Sequence, residues 1–273
     1  MDTFYDSDSA ATTLEEIITD RRRRADQFND GLPHLVDLEP DAYSVVEMGA
    51  TKKSWRLCRT EKNDEVADEI VFTLQGVLSK VNLVPKHVKE CAPNKLLRLS
   101  QYAEICGMGS PVFESSMVTA TTIHERFAQH FCGSSLASWV PLIGPMGSVF
   151  PANNRLFTLK SDAPSEQNTD FEEGVDPVGI IERLKTADMI HAPENVVKYF
   201  RLAISDQTSD VEYLPSFPGA FHVGDLVEIQ ASFVAIMTGQ SQIKVTTRLN
   251  ALTLLDNSFT KASNQPHPKG FLF

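Results

Sequence analysis

The sequence predicts an α+β protein, with a helix-rich N-terminal part carrying a small hairpin, followed by a C-terminal antiparallel β sheet or small barrel. Three observations carry this. Apolar residues recur at helical spacing through much of residues 13–132, two long runs rich in Val, Ile, Thr and Phe flank a turn within 223–255, and an acidic, apolar-poor segment separates the two parts.

Thr13 followed by Glu16 offers a capping box, and Leu14, Ile17, Ile18, Ala25 and Phe28 then fall at helical spacing. Residues 13–29 therefore predict an amphipathic helix, closed by Asp30-Gly31 and Pro33. Ala42 to Met48 and Trp55 to Arg59 read as the two strands of a hairpin around Gly49 to Ser54. From Asp64 onward Val66, Ile70, Leu74, Val77, Leu78 and Val81 share one helical face, and Pro85 ends the run. Two more helices are expected, over Pro93 to Cys106 and Pro111 to Cys132. Pro141, Gly144, Pro145, Gly147 and Pro151 break the stretch Trp139 to Asn154, which reads as an ordered loop before a strand at Arg155 to Lys160.

Ser161 to Asp176 holds Asp162, Glu166, Asp170, Glu172, Glu173 and Asp176 and no basic residue, the composition of a linker. The expected organisation is a helix-rich domain at 1–160, the acidic linker at 161–176, an antiparallel β domain at 177–261 and a tail at 262–273. In the β domain, a short helix near Pro177 to Lys185 and a strand around Val196 to Ile204 precede Val223 to Met237 and Gln242 to Leu255, joined by Thr238-Gly239-Gln240-Ser241. Val227, Ile229, Ala231, Phe233, Ala235 and Met237 alternate onto one face, as do Ile243, Val245, Thr247, Leu249, Ala251 and Leu255.

The 273 residues carry 25 Lys and Arg against 36 Asp and Glu, a net charge of −11, and are 42% hydrophobic, which excludes disordered and low-complexity classes. The first eleven residues contain Asp2, Asp6 and Asp8 and no basic residue, unlike a secretory signal, and no stretch reaches the roughly 18 apolar residues of a membrane span. Cys58, Cys91, Cys106 and Cys132 show no paired spacing and are expected as reduced thiols. The expectation is an intracellular protein, cytoplasmic or nuclear, without membrane contact.

Chemical motifs fail on inspection. Gln129 to Ser135 with Trp139 is similar to the nucleophile region of papain-like cysteine proteases, but Ser135 stands where that family has its attacking Cys. His87, Cys91, Cys106, His124, His130 and Cys132 lack the second close pair that completes a zinc site. Gly107 to Ser110 and Gly144 to Gly147 lack the Gly-Lys-Ser/Thr ending of a phosphate loop. No catalytic residue, cofactor or metal ligand is assigned.

Charge offers the remaining candidates. Arg21, Arg22, Arg23 and Arg24 form one cluster, a candidate nuclear-import signal or contact for an anion or partner, read chiefly as a solvated face paired with Glu15, Glu16 and Asp20. Lys52, Lys53, Arg56 and Arg59 open a locally basic stretch, 52–98, suited to an anion, an acidic partner or the chain's own acidic segment. The C-terminal sheet resembles an OB-like barrel, in which Gly-Asp followed by alternating apolar residues opens a strand, as at Gly224-Asp225. Leu202 to Ile243 contains no Lys or Arg but includes Asp206, Asp210, Glu212, Asp225 and Glu228, so this part is expected to repel a phosphate backbone. The leading expectation is therefore a non-enzymatic protein that binds another protein, or itself, through the β domain. The alternative is association with nucleic acid through segment 52–98, and the third is an enzyme with an unrecognised site.

Asp176 to Gly179, His191 to Tyr199 and Phe221 to Glu228 through Leu254-Leu255-Asp256 resemble a pattern in uncharacterised proteins of mushroom-forming fungi. The resemblance spans the last hundred or so residues, implies an intracellular fungal origin and supplies no catalytic residue.

Overall fold

The computed structural model describes residues 5–28, 31–48, 53–59, 67–84, 96–132, 136–204, 211–238 and 242–263. In chain order the elements are α1 (Ser7–Phe28), β1 (Tyr43–Met48), β2 (Ser54–Arg59), β3 (Asp68–Glu69), β4 (Phe72–Asn82), β5 (Ser100–Cys106) and α2 (Pro111–His130). There follow β6 (Leu142–Gly144), β7 (Gly147–Arg155), β8 (Thr158–Leu159), α3 (Ile180–Leu184), β9 (Met189–Ile190), β10 (Lys198–Ile204), β11 (Val211–Pro215), β12 (Leu226–Met237), β13 (Ile243–Asp256) and α4 (Ser258–Ser263).

Five strands close on themselves. β4 pairs with β5, β5 with β7, and β12 with both β4 and β13, all antiparallel, while β7 meets β13 in parallel at Asn153 and Arg248. Numbered along the chain, the barrel strands run 1-2-3-5-4-1 around the circuit, the Greek-key order of an OB-type barrel. Phe72, Phe150 and Phe233, from three of these strands, fill the interior. Phe72 stacks on Phe233 with centroids 5.1 Å apart and meets the edge of Phe150 at 6.0 Å.

The seam between the third and fifth barrel strands has a single backbone bridge, and side chains complete it. On one side of the bridge the Thr247 hydroxyl donates to the Pro151 carbonyl. On the other the Asn154 amide donates to the Leu249 carbonyl at 3.1 Å and to the Glu194 carbonyl at 2.8 Å. Both hydrogens of that buried amide are used, one on a β13 carbonyl that a regular ladder would pair and one on a carbonyl of the turn at 193–195.

Around the barrel, β1 and β2 form the expected hairpin, though its turn residues 49–52 lie outside the described residues. β2 continues the sheet from the end of β12, and β10–β11 continue it from the second half of β13. α1 begins at Ser7 because Asp6 caps it, accepting from the Ser9 amide at 3.1 Å and the Ser9 hydroxyl at 2.7 Å. Its Ala10, Leu14 and Ile18 pack on Val77, Cys106, Val149 and Leu226, on the outside of the barrel. α2 starts at Pro111 under a Ser110 cap, and its Phe113, Met117, Ala120, Ile123 and Phe127 extend the main core.

The helix-rich N-terminal part is not what forms: three barrel strands come from residues 72–155. Leu74, Val77 and Leu78 mimic helical spacing because β4 is buried on both faces, with Leu74 and Leu78 toward the barrel and Val77 toward α1, and an irregularity lies between Leu78 and Lys80. The stretch expected as the next helix contains β5, and its first residues, 93–95, lie outside the described residues. The expected Pro- and Gly-rich loop holds the β6–β7 hairpin, turned at Gly144–Gly147, where Gly147 adopts a φ of +97° open to glycine.

A barrel does form, but residues 177–261 supply only two of its strands, and chain on both sides of 161–176 is joined in one sheet. Segment 161–176 is itself docked, with Phe171 packed on the core, Val175 buried and the Thr169 amide donating to the His191 carbonyl at 2.7 Å. The face of β13 also switches at an irregularity beside Asn250. Leu249 and Leu252 both reach the main core, while Leu255 turns to α1. Among the described residues no helix is long and apolar enough to cross a membrane. Cys58 and Cys106 are buried free thiols and Cys132 is an exposed one, and Cys91 lies outside the described residues.

Candidate functional site

Strand alternation aims a row of side chains outward across the barrel. Tyr102 on β5 lies opposite Asn153 on β7, which lies opposite Arg248 on β13. The Tyr102 hydroxyl donates to Glu104 at 2.6 Å, and the Lys80 ammonium sits 5.6 Å from its ring centroid. Next in this direction is a cleft of about 600 Å³ with Asn153, Asn154, Arg155 and Arg248 along its floor. Lys53, Ser54, Arg56, Ile236 and Met237, with residues 162–166 and 193–195, complete its lining.

Arg56, Arg155 and Arg248 converge here on Glu69 and Glu194. Glu194 takes Arg155 at 2.7 Å, Arg56 at 3.1 Å and Arg248 at 3.7 Å, while Glu69 takes Arg248 at 2.5 Å and Arg56 at 3.6 Å. Burial pushes the Glu194 carboxyl up, but the hydrogen bond and charge of Arg155, joined by Arg56 and Arg248, outweigh it and hold the group below the usual carboxylate range. Burial and the neighbouring Arg248 pull Arg56 down from its ordinary value, against the two glutamates. The five-residue cluster carries one surplus positive charge. Over the whole cleft lining the balance is even, because Lys53 joins the arginines while Asp162 and Glu166 join the glutamates.

The arginine run in α1 is placed elsewhere. Arg21 grips the buried Glu228 with two hydrogen bonds, at 2.8 and 2.5 Å, and Gln75 donates to the same carboxylate at 2.6 Å. Arg22 pairs with Asp37 at 2.5 Å, and Arg23 and Arg24 pair with Asp20 at 2.6 and 2.7 Å. Lys53 lies at the cleft and 3.3 Å from Glu47, Arg59 sits exposed at the end of β2, and Lys52 lies outside the described residues. Of the basic residues singled out by the sequence, the fold thus brings Lys53 and Arg56 together at the cleft. It adds Arg155 and Arg248, separated in sequence by about the length of a small domain. No local motif signals them; the only hint was an outward position on a strand, such as Arg248 among the residues alternating with the buried set.

The described histidines play other parts. His34 is buried, with Nδ1 accepting from the Val36 amide at 3.3 Å, and burial pulls it down to about 4. His191 is buried, 2.8 Å from the Leu156 carbonyl and against Phe171. Among the described residues no group of three or more His, Cys, Asp or Glu is arranged to hold a metal ion, and His87 and Cys91 lie outside them.

The apolar runs expected to form a protein-binding face are instead core. Val227, Ile229, Ala231, Phe233 and Ala235 are all buried, and Ile236 and Met237 emerge at the cleft while Val223 is exposed at the start of the run. The expected negative scaffold is incomplete for the same reason, since neighbouring strands bring arginines beside it.

No family model matches the chain, and no curated protein matches it. Among solved structures it is similar to gp2.5, a single-stranded DNA binding protein encoded by bacteriophage T7, at 10% identity and a TM-score of 0.38, over 74% of this chain and 98% of that one. The barrel topology given above rests on the strand pairings.

Proposed function

We propose that this chain binds single-stranded nucleic acid across the outer face of its barrel, with the backbone held at the arginine cleft. The observation that carries the reading is the row Tyr102, Asn153, Arg248, continuous with Arg155 and Arg56. An aromatic ring, an amide and a guanidinium in sequence offer a base a face to stack on, an edge to hydrogen-bond and a phosphate contact. Ile236 and Met237 add exposed apolar surface on the cleft wall. The arginines are held in fixed forks by Glu69 and Glu194, so a phosphate meets preoriented donors.

The test is fluorescence anisotropy with a labelled oligo(dT) of about 20 nucleotides over a salt series. If three arginines engage phosphates, log K falls against log salt with a slope of about −2, and Arg155→Gln or Arg248→Gln each make it shallower by about 0.7. Tyr102→Leu weakens binding with little change in slope. Absence of binding at low salt, or binding indifferent to both arginine variants, overturns the reading.

A further inference from the structure

The cleft contains its own competitor. Four basic side chains line it, Lys53, Arg56, Arg155 and Arg248, against four acidic ones, Glu69, Glu194, Asp162 and Glu166. Glu69 and Glu194 are bound into the arginine cluster and orient it. Asp162 and Glu166 come from a different element, the turn that follows β8, and line the same cleft. That turn is held by backbone bonds from Asp162 to Leu159 at 2.9 Å and from Glu166 to Ala163 at 3.2 Å. Behind it the chain is anchored by Asn168, which accepts from the His191 amide at 3.1 Å and from Lys185 at 2.9 Å, and by Phe171 in the core.

From this we infer that the acidic segment acts as a built-in brake, with Asp162 and Glu166 offsetting the arginines where a phosphate backbone would run. The inference rests on the nucleic-acid reading above. A polyanion entering the cleft meets two carboxylates across from its phosphates, so it binds weakly until this turn is neutralised or withdrawn. The counter-ion is covalently attached, so its local concentration is high and does not fall on dilution. The acidic residues further along the segment, Glu172 and Glu173, are exposed and do not line the cleft. The brake is therefore local, and net charge alone does not produce it.

The experiment uses the full chain and the same oligo(dT) probe at low salt. Asp162→Asn combined with Glu166→Gln is compared with Glu172→Gln combined with Glu173→Gln, which changes the net charge by the same amount. The first pair tightens binding by about fivefold or more and the second by less than about twofold, since only the first removes charge within close range of the bound phosphates. Glu166→Gln alone, at an exposed position, gives a smaller gain in the same direction and serves if the double variant fails to melt like the wild type. Equal tightening by both pairs, or no tightening by the first while the wild type binds, overturns the brake. If neither the wild type nor the first pair binds at any salt, the nucleic-acid reading itself fails and the brake with it.

Discussion

Asn154 is the most informative single position for the architecture, because the barrel closes through its side chain. The residue is 4% exposed, and its amide spans from β7 to the Leu249 carbonyl of β13 and the Glu194 carbonyl. Asn154→Ala removes both donors and leaves two buried acceptors. A net hydrogen bond is worth about 0.5–1.5 kcal/mol and an orphaned buried acceptor costs about 1–3 kcal/mol. The expected destabilisation is therefore about 2–4 kcal/mol, well above the roughly 0.5 kcal/mol scatter of surface changes. For a chain of this size it corresponds to a fall of about 4–7 °C in Tm. Asn154→Asp goes further at neutral pH, since a carboxylate faces two carbonyls with no proton to give. Differential scanning calorimetry measures the loss, and hydrogen exchange locates it. Amides of β7 and β13 near the bridge lose protection first in the Ala variant, while β4 and β5 keep theirs. A Tm within about 1 °C of wild type, with seam protection unchanged, refutes the account of how the barrel closes.

Two further predictions concern Arg21 and His34. Arg21→Ala strands the buried Glu228 with Gln75 and Tyr213 as its remaining partners, and costs about 3–5 kcal/mol in chemical denaturation, whereas Arg23→Ala on the exposed side of α1 costs under about 0.5 kcal/mol. His34 is held neutral in the fold, at about 4 against 6.5 when free, so the unfolded chain takes up the proton first as pH falls. Stability from this group is complete above about pH 6.5 and drains as pH drops toward 4. On the order of 1 kcal/mol is gone by pH 5.5, and a His34→Gln variant melted across the same range lacks that share of the slope.

Short-range physics was legible in the sequence wherever one element decides its own conformation. Ser110-Pro111 and the following apolar spacing define α2, the alternation in 226–237 and 243–249 defines the paired strands, and the hairpin of β1 and β2 is written in its β-branched and aromatic residues. Where a segment is buried on two faces its spacing stops reporting secondary structure. Leu74, Val77 and Leu78 are apolar because the barrel lies on one side and α1 on the other, and periodicity alone gives the wrong answer there. Pro151 and Gly147 read as breakers, yet the strand carrying them closes the barrel through side-chain bonds.

The amino-acid order by itself determined the charge balance, most of the core-facing sets of the last two strands and the acidic character of 161–176, whereas α1 starts under Asp6 and not at the Thr13 capping box. Tertiary structure decided which strands share a barrel, and hence that Arg56, Arg155 and Arg248 meet over Glu69 and Glu194 in a cleft that Asp162 and Glu166 also line. The reason is that a strand pair is specified by surfaces far apart in the chain. Each arginine looks like an isolated outward charge until the sheet curls and sets three of them side by side.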